Sequence, residues 1–399
     1  MPSLRSARQN SSDNRKAEAA EMTTQAYIAG YVRTPFTFAR KGALAPVRPE
    51  DLGAHAIRAL LERTGIAGED VEDVVWGCAY PEGEQGLNIG RVVGLLGGLP
   101  DTTAGVTINR WCGSSIQAVQ MASGMLLMNA GEAFIAGGTE SMSRVPMMGF
   151  NPMPHPSWDA KAVQDYMNPG LTAENVARRF NVTREDQDRF SFSSQAKAKQ
   201  AKDAGRLAVE IAPYEVDGLL VAEDGCVRET TMERLAQLKT AFLEGGTVTA
   251  GSSSPMTDGA TAVLVCSEDF ARRNGLEPLA RVAGFAVSGC APEIMGIGPV
   301  ESSRKALKRA GLTIDDIDVV EMNEAFASQA EACRRALDIP EEKLNIDGGA
   351  IAIGHPLGAT GARLVGKAAT LLKREGGKHA LATQCIGGGM GIAMVLEAA

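Results

Sequence analysis

The sequence predicts a duplicated α/β fold in which two similar halves are separated by an inserted segment. The stretch LERTGIAGEDVEDVV, which begins at Leu61, aligns with LKRAGLTIDDIDVVE, which begins at Leu307, at an offset of 246 residues. The same offset relates NAGEAFIAGGTE around Gly131 to EGGKHALATQCI around Gly377. Such self-similarity indicates two copies of one structural unit.

Each copy has the pattern of an amphipathic helix end, a glycine turn, an acidic turn and a β-branched strand. The turn glycines are Gly65 and Gly311, and Asp70 and Asp316 precede the strands. Helices that alternate with strands predict parallel sheets covered by helices, with right-handed crossovers.

The segment 142–253 has no partner in the repeat. It is first rich in Met and Pro, then charged and helical, and then a mixture of turns and short strands. A long insertion is more often a lid or a ligand-gripping subdomain than a plain loop. The predicted division is therefore a disordered tail (1–22), a first half (23–141 plus 254–275), the insertion, and a second half (276–399).

The composition is that of an acidic globular protein. Of 399 residues, 44% are hydrophobic and 22% are charged, and the net charge is -8 at pH 7. Single cores stop growing at roughly 250 to 300 residues, so we expect two or three packed units. A net negative charge does not attract nucleic acid or an anionic bilayer. No uncharged apolar run approaches the roughly 20 residues that span a membrane, so we expect a soluble protein.

The cysteine pattern favours a reducing compartment, and we expect a cytoplasmic protein without a metal site. The cysteines are odd in number and show no close pairs, which argues against a disulfide framework. No CxxC occurs, and the four histidines lack zinc-finger or HExxH spacing. The seven cysteines are Cys78, Cys112, Cys226, Cys266, Cys290, Cys333 and Cys385.

The N-terminal residues 1–22 are polar, carry both charge signs and lack an apolar core. This pattern excludes a secretory signal and predicts a disordered tail. Arginines and serines favour a transit peptide, whereas Asp13, Glu18 and Glu21 argue against one. Met22, just before the strand pattern AYIAGYV, is an alternative start.

Cys112 lies in INRWCGSSIQAVQ, where an apolar strand end meets a Gly-Ser turn that opens an amphipathic helix. The positive end of the helix dipole favours a thiolate, which predicts a pKa below the usual value of roughly 8.5. The residues therefore predict a nucleophile. A buried cysteine that packs as a small hydrophobic side chain fits the same pattern.

The repeat offset projects Cys112 onto the turn GHPLG, three residues from His355. An apolar strand pattern precedes this turn, Gly354 allows a close backbone approach, and Pro356 begins a second amphipathic helix. A lone turn histidine is usually solvated or structural. In a pseudo-twofold duplication, however, equivalent turns can converge on one site, which would place imidazole beside thiol.

Cys385 and Asn323 each follow a predicted strand. Cys385 precedes GGGMG at 387–391, whose backbone N–H groups are suited to hold an oxyanion. This glycine run is not a phosphate-binding loop, because no GK[ST] follows. Asn323, in VVEMNEAFASQ, comes before a helix that we expect to begin near Glu324, so by itself it predicts a helix cap.

Together, the segments NRWCGSSIQA, EMNEAFA, GGAIAIGHPLG and CIGGGMG resemble the thiolase family in order and in spacing. The resemblance extends from about Ala26 to Ala399 and includes GGTESMS at 137–143, LTAEN at 171–175 and VTAGSSSPMTDGA at 248–260. It implies the five-layered αβαβα thiolase fold, with two βαβαβαββ halves and an inserted loop domain that binds coenzyme A. It also implies a homodimer or homotetramer.

The resemblance implies roles for five positions. Cys112 matches the family's acyl-accepting nucleophile, His355 its general base, and Cys385 its second, acid/base cysteine. Asn323 matches the asparagine that holds a water, and this water forms one oxyanion hole with His355. The backbone N–H groups of Cys112 and Gly387 match the second oxyanion hole.

The family resemblance is less direct for the residues that contact coenzyme A. Ser254 and Ala250 match a loop that lines the pantetheine, and Phe326 matches a residue at the acyl end. Arg228, in CVRETT, resembles the arginine near the nucleotide end, although the residue that usually follows is deleted here. Pro255 replaces a common glycine. The resemblance implies coenzyme A as a substrate and no permanently bound cofactor.

The implied reaction is thiolytic cleavage of 3-oxoacyl-CoA by CoA, as in fatty acid β-oxidation, through an acyl-cysteine intermediate. Asn168-Pro169 stands where acetoacetyl-CoA-specific members have His-Met, and GCAPEIMGIGPVESS at 289–303 looks like the degradative 3-ketoacyl-CoA thiolases. Against this, the box CGSS has Ser115 where glycine is common. We expect a degradative enzyme of broad chain length.

Three alternatives are weighed against this interpretation. An acetoacetyl-CoA thiolase would run the Claisen condensation. A β-ketoacyl synthase shares the duplicated fold but uses two histidines or a His-Asn pair, and Cys385 before GGGMG disfavours it. A non-catalytic CoA-ester or lipid carrier would be expected to have lost a catalytic residue, and all four are present. A hydratase/dehydrogenase subunit is a candidate partner that the sequence does not decide.

Overall fold

The computed structural model describes residues 25–399, and the predictions about the tail 1–22 and Met22 lie outside the described residues. Ten strands form one mixed sheet, and two short strands form a separate hairpin. The strands are β1 (Tyr27–Arg33), β2 (Thr37–Phe38), β3 (Asp73–Gly77), β4 (Ala104–Ile108), β5 (Ala133–Ser141), β6 (Tyr214–Val216), β7 (Leu219–Val221), β8 (Thr257–Cys266), β9 (Ala280–Gly289), β10 (Val319–Met322), β11 (His379–Ile386) and β12 (Met390–Ala398).

The strand order in the large sheet is β10-β11-β12-β9-β1-β8-β5-β3-β4, and β2 pairs with β8. The prediction of parallel sheets is correct only for the pairs β3–β4, β3–β5 and β10–β11. The other pairs are antiparallel. For β11 and β12 the reason is local, because the short glycine turn 387–389 joins them. A turn of this length can join only antiparallel strands, whereas parallel strands need a long crossover.

The described residues form twelve α-helices, which cover the sheet and build the insertion. The helices are α1 (Pro49–Thr64), α2 (Ile89–Leu96), α3 (Ser114–Leu127), α4 (Ala160–Met167), α5 (Pro169–Arg179), α6 (Arg184–Asp203), α7 (Met232–Ala236), α8 (Glu268–Arg273), α9 (Gly298–Ala310), α10 (Ala327–Ala336), α11 (Ala350–Ile353) and α12 (Leu357–Glu375).

The predicted repeat has the same local structure in both copies. Helices α1 and α9 end at Gly65 and Gly311, whose φ angles are 71° and 73°. Glycine adopts this left-handed conformation without steric penalty and is the usual residue just past a helix end. Short 3-10 turns at Gly68–Asp70 and Ile314–Asp316 then lead into β3 and β10.

The strands bury both faces, which sorts the molecule into layers. Along β3, Val75 packs in a central cluster with α3 and α12, whereas Val74 and Trp76 pack in an outer cluster against α1. Along β11, Ala382 faces the central cluster and Leu381 faces an outer cluster against α9. Side chains alternate between the two faces of a strand, and in the described part of the chain only two residue pairs join the two parts of the sheet between β1 and β9. The two parts therefore form separate layers, in the order helix, sheet, helix, sheet, helix.

Helices α3 and α12 pack against each other in the central layer. Nearly all of α12 is buried, and both helices contribute to the largest hydrophobic cluster, which contains Ile116 and Val119 from α3 and Leu364 and Val365 from α12. Each helix begins directly after a turn that carries a predicted site residue. Core packing between the halves therefore sets the distance between those two turns.

A buried ion cluster connects the inserted segment to the rest of the chain. Arg33 on β1 is fully buried, and its guanidinium lies 2.8 Å from Glu210 and 2.7 Å from Asp224. Lys367 on α12 lies 3.2 Å from the Glu210 carboxylate and 2.7 Å from that of Asp347. Burial raises the pKa of Glu210, but Lys367 and Arg33 outweigh it and lower this pKa to about 2. Replacing one charged residue of this cluster by a neutral one would leave a buried unpaired charge, which is strongly destabilising.

Within residues 25–399, no helix is both long and apolar enough to cross a membrane. The same residues contain no group of three or more His, Cys, Asp or Glu side chains arranged to hold a metal ion.

Candidate active site

A cavity of about 500 Å³ lies where the two halves meet the inserted segment. Its wall is mostly apolar and includes methionines and aromatic side chains from all three parts. An apolar cavity with a few convergent polar groups is the usual form of a small-molecule site. The predicted site residues that line it are Cys112, His355, Cys385, Gly387, Ser254 and Phe326.

Cys112 lies on a tight turn between β4 and α3. The turn is closed by hydrogen bonds from Gly113 N to Arg110 O (2.9 Å) and from Ser114 N to Trp111 O (3.0 Å), and Trp111 has a φ of 44°. The Gln384 side-chain amide donates to the Cys112 carbonyl. These contacts fix the backbone and leave the half-buried thiol facing the cavity.

The predicted low pKa of Cys112 is wrong. Burial raises the pKa of this thiol to about 11, the Gly387 backbone N–H opposes that shift, and the charge of Glu140 adds to it. Helix α3 begins at Ser114, two residues after Cys112, and burial outweighs any effect of this nearby helix end. The thiol is therefore protonated at rest, and a neighbouring base has to remove its proton.

His355 lies in the three-residue link between α11 and α12. The predicted strand before it is the one-turn helix α11, because a short buried apolar run fits either structure and Glu324 here accepts from Ile351 N (3.1 Å). The His355 ring is 4% exposed, and burial lowers its pKa to about 3. The imidazole is consequently neutral at physiological pH and has one nitrogen free to accept a proton.

Hydrogen bonds identify the accepting nitrogen. Nδ1 of His355 lies 2.6 Å from the Thr360 hydroxyl oxygen, and that hydroxyl donates to the Pro356 carbonyl at 3.1 Å. The Thr360 oxygen must then accept from Nδ1–H, which leaves Nε2 unprotonated. Asn323 Nδ2 lies 3.2 Å from Nε2 and donates to it.

Asn323 is not the predicted helix cap. Helix α10 begins at Ala327, with Phe326 at the capping position, so three residues lie between Asn323 and the helix. The Asn323 backbone N–H extends the sheet by donating to Thr383 O at 3.0 Å. Its side chain is fully buried beside His355, and among the described residues its Oδ1 atom has no hydrogen-bond partner.

Cys385 and Gly387 approach the cavity from the end of β11. Cys385 is 1% exposed, and burial raises the pKa of its thiol well above the usual range. A Cβ atom on Gly387 would lie 2.3 Å from the Trp111 ring, so only glycine fits against this indole. Tyr166 meets Trp111 edge to face at 5.1 Å and continues the same aromatic wall.

Two predicted contact residues lie elsewhere. Arg228 lines a separate surface cleft of about 400 Å³, together with Lys199 and Arg234. Ala250 is exposed and lines neither the central cavity nor this cleft.

Two protein-family models together match almost all of the described residues. The model of the thiolase N-terminal domain matches residues 26–269, and that of the thiolase C-terminal domain matches residues 276–398. The chain belongs to the thiolase family. The predicted thiolase fold is confirmed, and the layers described above are those of the family.

Relatives and solved structures of the thiolase family agree closely with this chain. It is 46% identical over 387 residues to a 3-ketoacyl-CoA thiolase of Bacillus subtilis (strain 168), covering 94% of this chain and 99% of the relative. It is 46% identical over 384 residues to a 3-ketoacyl-CoA thiolase of Escherichia fergusonii, with coverage of 94% and 99%. The crystal structure of human mitochondrial 3-ketoacyl-CoA thiolase in complex with CoA matches with a TM-score of 0.87 and 38% identity, covering 94% of this chain and 98% of that one.

Sequence reasoning missed several residues that shape the site of this thiolase-family member. Thr360 orients the imidazole, and Trp111 and Tyr166 form the aromatic wall. Thr360 lies five residues after His355, a spacing that places it on the first turn of the following helix and could have identified it. Tyr166 comes from the insertion, and no local pattern indicates which part of the core it reaches.

Proposed function

We propose that this chain cleaves 3-oxoacyl-CoA with CoA, giving acetyl-CoA and an acyl-CoA shortened by two carbons, as in fatty acid β-oxidation. This reaction makes the protein an acyltransferase. The observation that carries it is the convergence of Cys112, His355 and Cys385 on one largely apolar cavity. The two relatives described above, both named 3-ketoacyl-CoA thiolase at 46% identity, support the degradative direction.

In the first half-reaction, Cys112 attacks the 3-keto carbon while Nε2 of His355 takes the thiol proton. The thiol has a pKa of about 11 and the imidazole a pKa of about 3, so a free thiolate does not accumulate. Proton transfer therefore accompanies formation of the S–C bond, as in general base catalysis. The Cα–Cβ bond then breaks, and acetyl-CoA leaves as an enolate that takes a proton from Cys385.

Two sets of donors stabilise the negative charges that develop. A water held by Asn323, together with His355, stabilises the enolate oxygen, and the unpartnered Oδ1 atom of Asn323 is free to accept a hydrogen bond from that water. When CoA attacks the acyl-Cys112, the Cys385 thiolate takes the CoA thiol proton, and the backbone N–H groups of Cys112 and Gly387 stabilise the tetrahedral oxyanion. The Cys112 sulfur then leaves and takes back its proton from His355. Donors aimed at developing charge in a site that excludes water are usually the largest contribution to such catalysis.

The inserted segment 142–253 acts as the CoA-binding loop domain between the halves 23–141 plus 254–275 and 276–399. Positive charge in the cleft around Arg228 suits the nucleotide phosphates, and Ser254 and Phe326 suit the pantetheine and acyl end. Ala250 is on the same loop as Ser254 but faces solvent.

The protein works as a homodimer or homotetramer, with a hydratase/dehydrogenase subunit as candidate partner.

All seven cysteines lie within the described residues and none is paired, which supports a reducing compartment such as the cytoplasm.

The cavity supports an acyl chain longer than acetyl. Its methionines include Met142, Met147 and Met148, and flexible thioether side chains adapt to ligands of different length. We expect that substrates of C10 to C16 are cleaved at rates comparable to or faster than C4. The measurement is CoA-dependent loss of the 3-ketoacyl-CoA enolate absorbance on the purified protein.

The other outcomes of this assay distinguish the alternatives. Activity on C4 alone would indicate an acetoacetyl-CoA thiolase that runs the Claisen condensation. Absence of activity on every chain length would favour a CoA-ester or lipid carrier and would overturn the proposed function.

Replacing Thr360 by valine tests how the imidazole is oriented. Valine keeps the shape but removes the acceptor for Nδ1–H, so the tautomer with a free Nε2 is no longer favoured. We expect kcat to fall about 10-fold, since losing a hydrogen bond of about 1 to 1.5 kcal/mol changes a rate by this factor. Thr370→Val is the matched control, because the Thr370 hydroxyl also bonds a backbone carbonyl of α12 (Gly366 O, 2.8 Å). Equal kcat values for the two variants would contradict the role of Thr360.

A further inference from the structure

Glu140, at the end of β5, is a buried carboxylate that the proposed mechanism does not use. It is 1% exposed and belongs to the first half of the chain. Its Oε2 atom accepts from Ala79 N at 2.8 Å and from Gly358 N at 2.9 Å. One carboxylate oxygen thus joins the loop after β3 to the first turn of α12.

The contact with Gly358 completes the start of helix α12. The first N–H groups of a helix have no partner within the helix, and a capping side chain usually satisfies one of them. Pro356 occupies the capping position and has no side chain that can do so. Glu140 supplies the missing acceptor, and its negative charge suits the positive end of the helix. A Cβ atom on Gly358 would lie 2.8 Å from Oε2, so the close approach requires glycine.

The second oxygen of Glu140 holds the loop of residues 78–80. Oε1 accepts from Gln85 Nε2 at 2.7 Å and from Tyr80 N at 3.2 Å, and the Cys78 thiol lies 3.7 Å away. Tyr80 lines the cavity and packs in the same cluster as Cys112. The carboxylate therefore holds together two segments that reach the cavity, one from each half.

The donors around Glu140 favour its ionised form. Burial raises the pKa of this carboxyl, and the N–H groups of Ala79, Gly358, Gln85 and Tyr80 oppose that shift. Ala79 and Tyr80 pack in the same cluster as Cys112, so the carboxylate lies near that thiol, and its charge is among the causes that raise the pKa of Cys112.

We propose that Glu140 is a positioning residue that ties the His355 turn to the loop of residues 78–80 and holds a negative charge beside the Cys112 side chain. The inference rests on the roles proposed above for Cys112 and His355. It predicts that one carboxylate has two separable effects. Its hydrogen bonds align the base, and its charge suppresses premature ionisation of the nucleophile.

The test is Glu140→Gln, which keeps the size of the side chain but removes the charge and replaces one acceptor oxygen by an amide. We expect kcat to fall about 10-fold or more while KM changes less than about 3-fold, because the base is displaced and CoA contacts are not. Alkylation of Cys112 by iodoacetamide at pH 8, followed by peptide mass spectrometry, should become about 3-fold faster or more, because removing a nearby negative charge lowers the thiol pKa.

Two further variants isolate these effects. Glu140→Asp keeps the charge but shortens the side chain, so kcat should fall while the alkylation rate stays within about 2-fold of wild type. Glu331→Gln is the control, because Glu331 is a buried carboxylate hydrogen-bonded to Arg334 and Arg335 that does not line the cavity, and it should change neither readout.

Wild-type kcat in Glu140→Gln, or an alkylation rate that is unchanged or lower, would overturn the inference. If Glu140→Gln does not fold, Glu140→Asp decides, and wild-type kcat in that variant would overturn the inference as well. Alkylation does not require turnover. A wild-type protein without thiolase activity would therefore refute the proposed function, while the alkylation comparison would still test the charge of Glu140.

Discussion

Replacing Cys112 by serine abolishes both turnover of 3-oxoacyl-CoA and formation of the acyl-enzyme. A hydroxyl gives up its proton far less readily than a thiol, and the proposed base, His355, has a pKa of about 3. The buried surroundings that raise the thiol pKa to about 11 would disfavour an alkoxide even more. We expect kcat to fall by about 10⁴-fold or more, as when the nucleophile of a nucleophile–base pair is removed.

Two measurements check this prediction. Steady-state cleavage gives kcat, and mass spectrometry after mixing the protein with acyl-CoA detects a covalent acyl group on the peptide that contains Cys112. Cys290→Ser is the control, because Cys290 is a half-buried free cysteine that does not line the cavity. Normal activity in Cys112→Ser would refute the assignment of the nucleophile.

Replacing His355 by alanine lowers kcat by about 10³-fold, within the range that a general base contributes. The Cys112 proton then has no acceptor, while the cavity and its apolar wall remain. We expect KM to change little, because His355 acts on the reacting thiol rather than on the body of the substrate. His379→Ala is the control, since the His379 ring bonds a backbone carbonyl (Asp316 O, 3.2 Å) and lies outside the cavity.

The wild-type pH profile provides a second check on His355. A histidine whose pKa is lowered to about 3 stays neutral, and therefore able to accept a proton, throughout pH 5 to 8. Activity should consequently show no loss centred near pH 6.5, where an exposed histidine would become protonated. A profile that falls with an apparent pKa near 6.5, or a His355→Ala variant with more than about a tenth of wild-type kcat, would contradict this role.

Local patterns in the sequence were sufficient to predict the duplicated architecture. Gly65 and Gly311 end equivalent helices because a glycine in the left-handed conformation is a property of a few consecutive residues. The repeat predicted that the turns of Cys112 and His355 converge, and the family resemblance implied Cys385 at the same site; all three line one cavity. The roles of these residues stay predictions until the variants are measured.

Three sequence predictions failed where distant packing decides the outcome. The glycine turn after β11 makes β12 antiparallel, which helix–strand alternation did not reveal. Asn323 extends the sheet through Thr383 instead of capping a helix. The Cys112 thiol has a raised pKa because burial outweighs the nearby helix end. Burial depends on elements hundreds of residues away, so a local pattern cannot give the sign of such a shift.

The sequence by itself determined which side chains are available for chemistry and the turns on which they lie. The tertiary structure alone decided their protonation states, the tautomer of His355 and the position of Glu140 between the two halves. The physical reason is that turns and helix ends depend on residues a few positions apart. Desolvation and long-range hydrogen bonds exist only once β5, α3 and α12 have packed together.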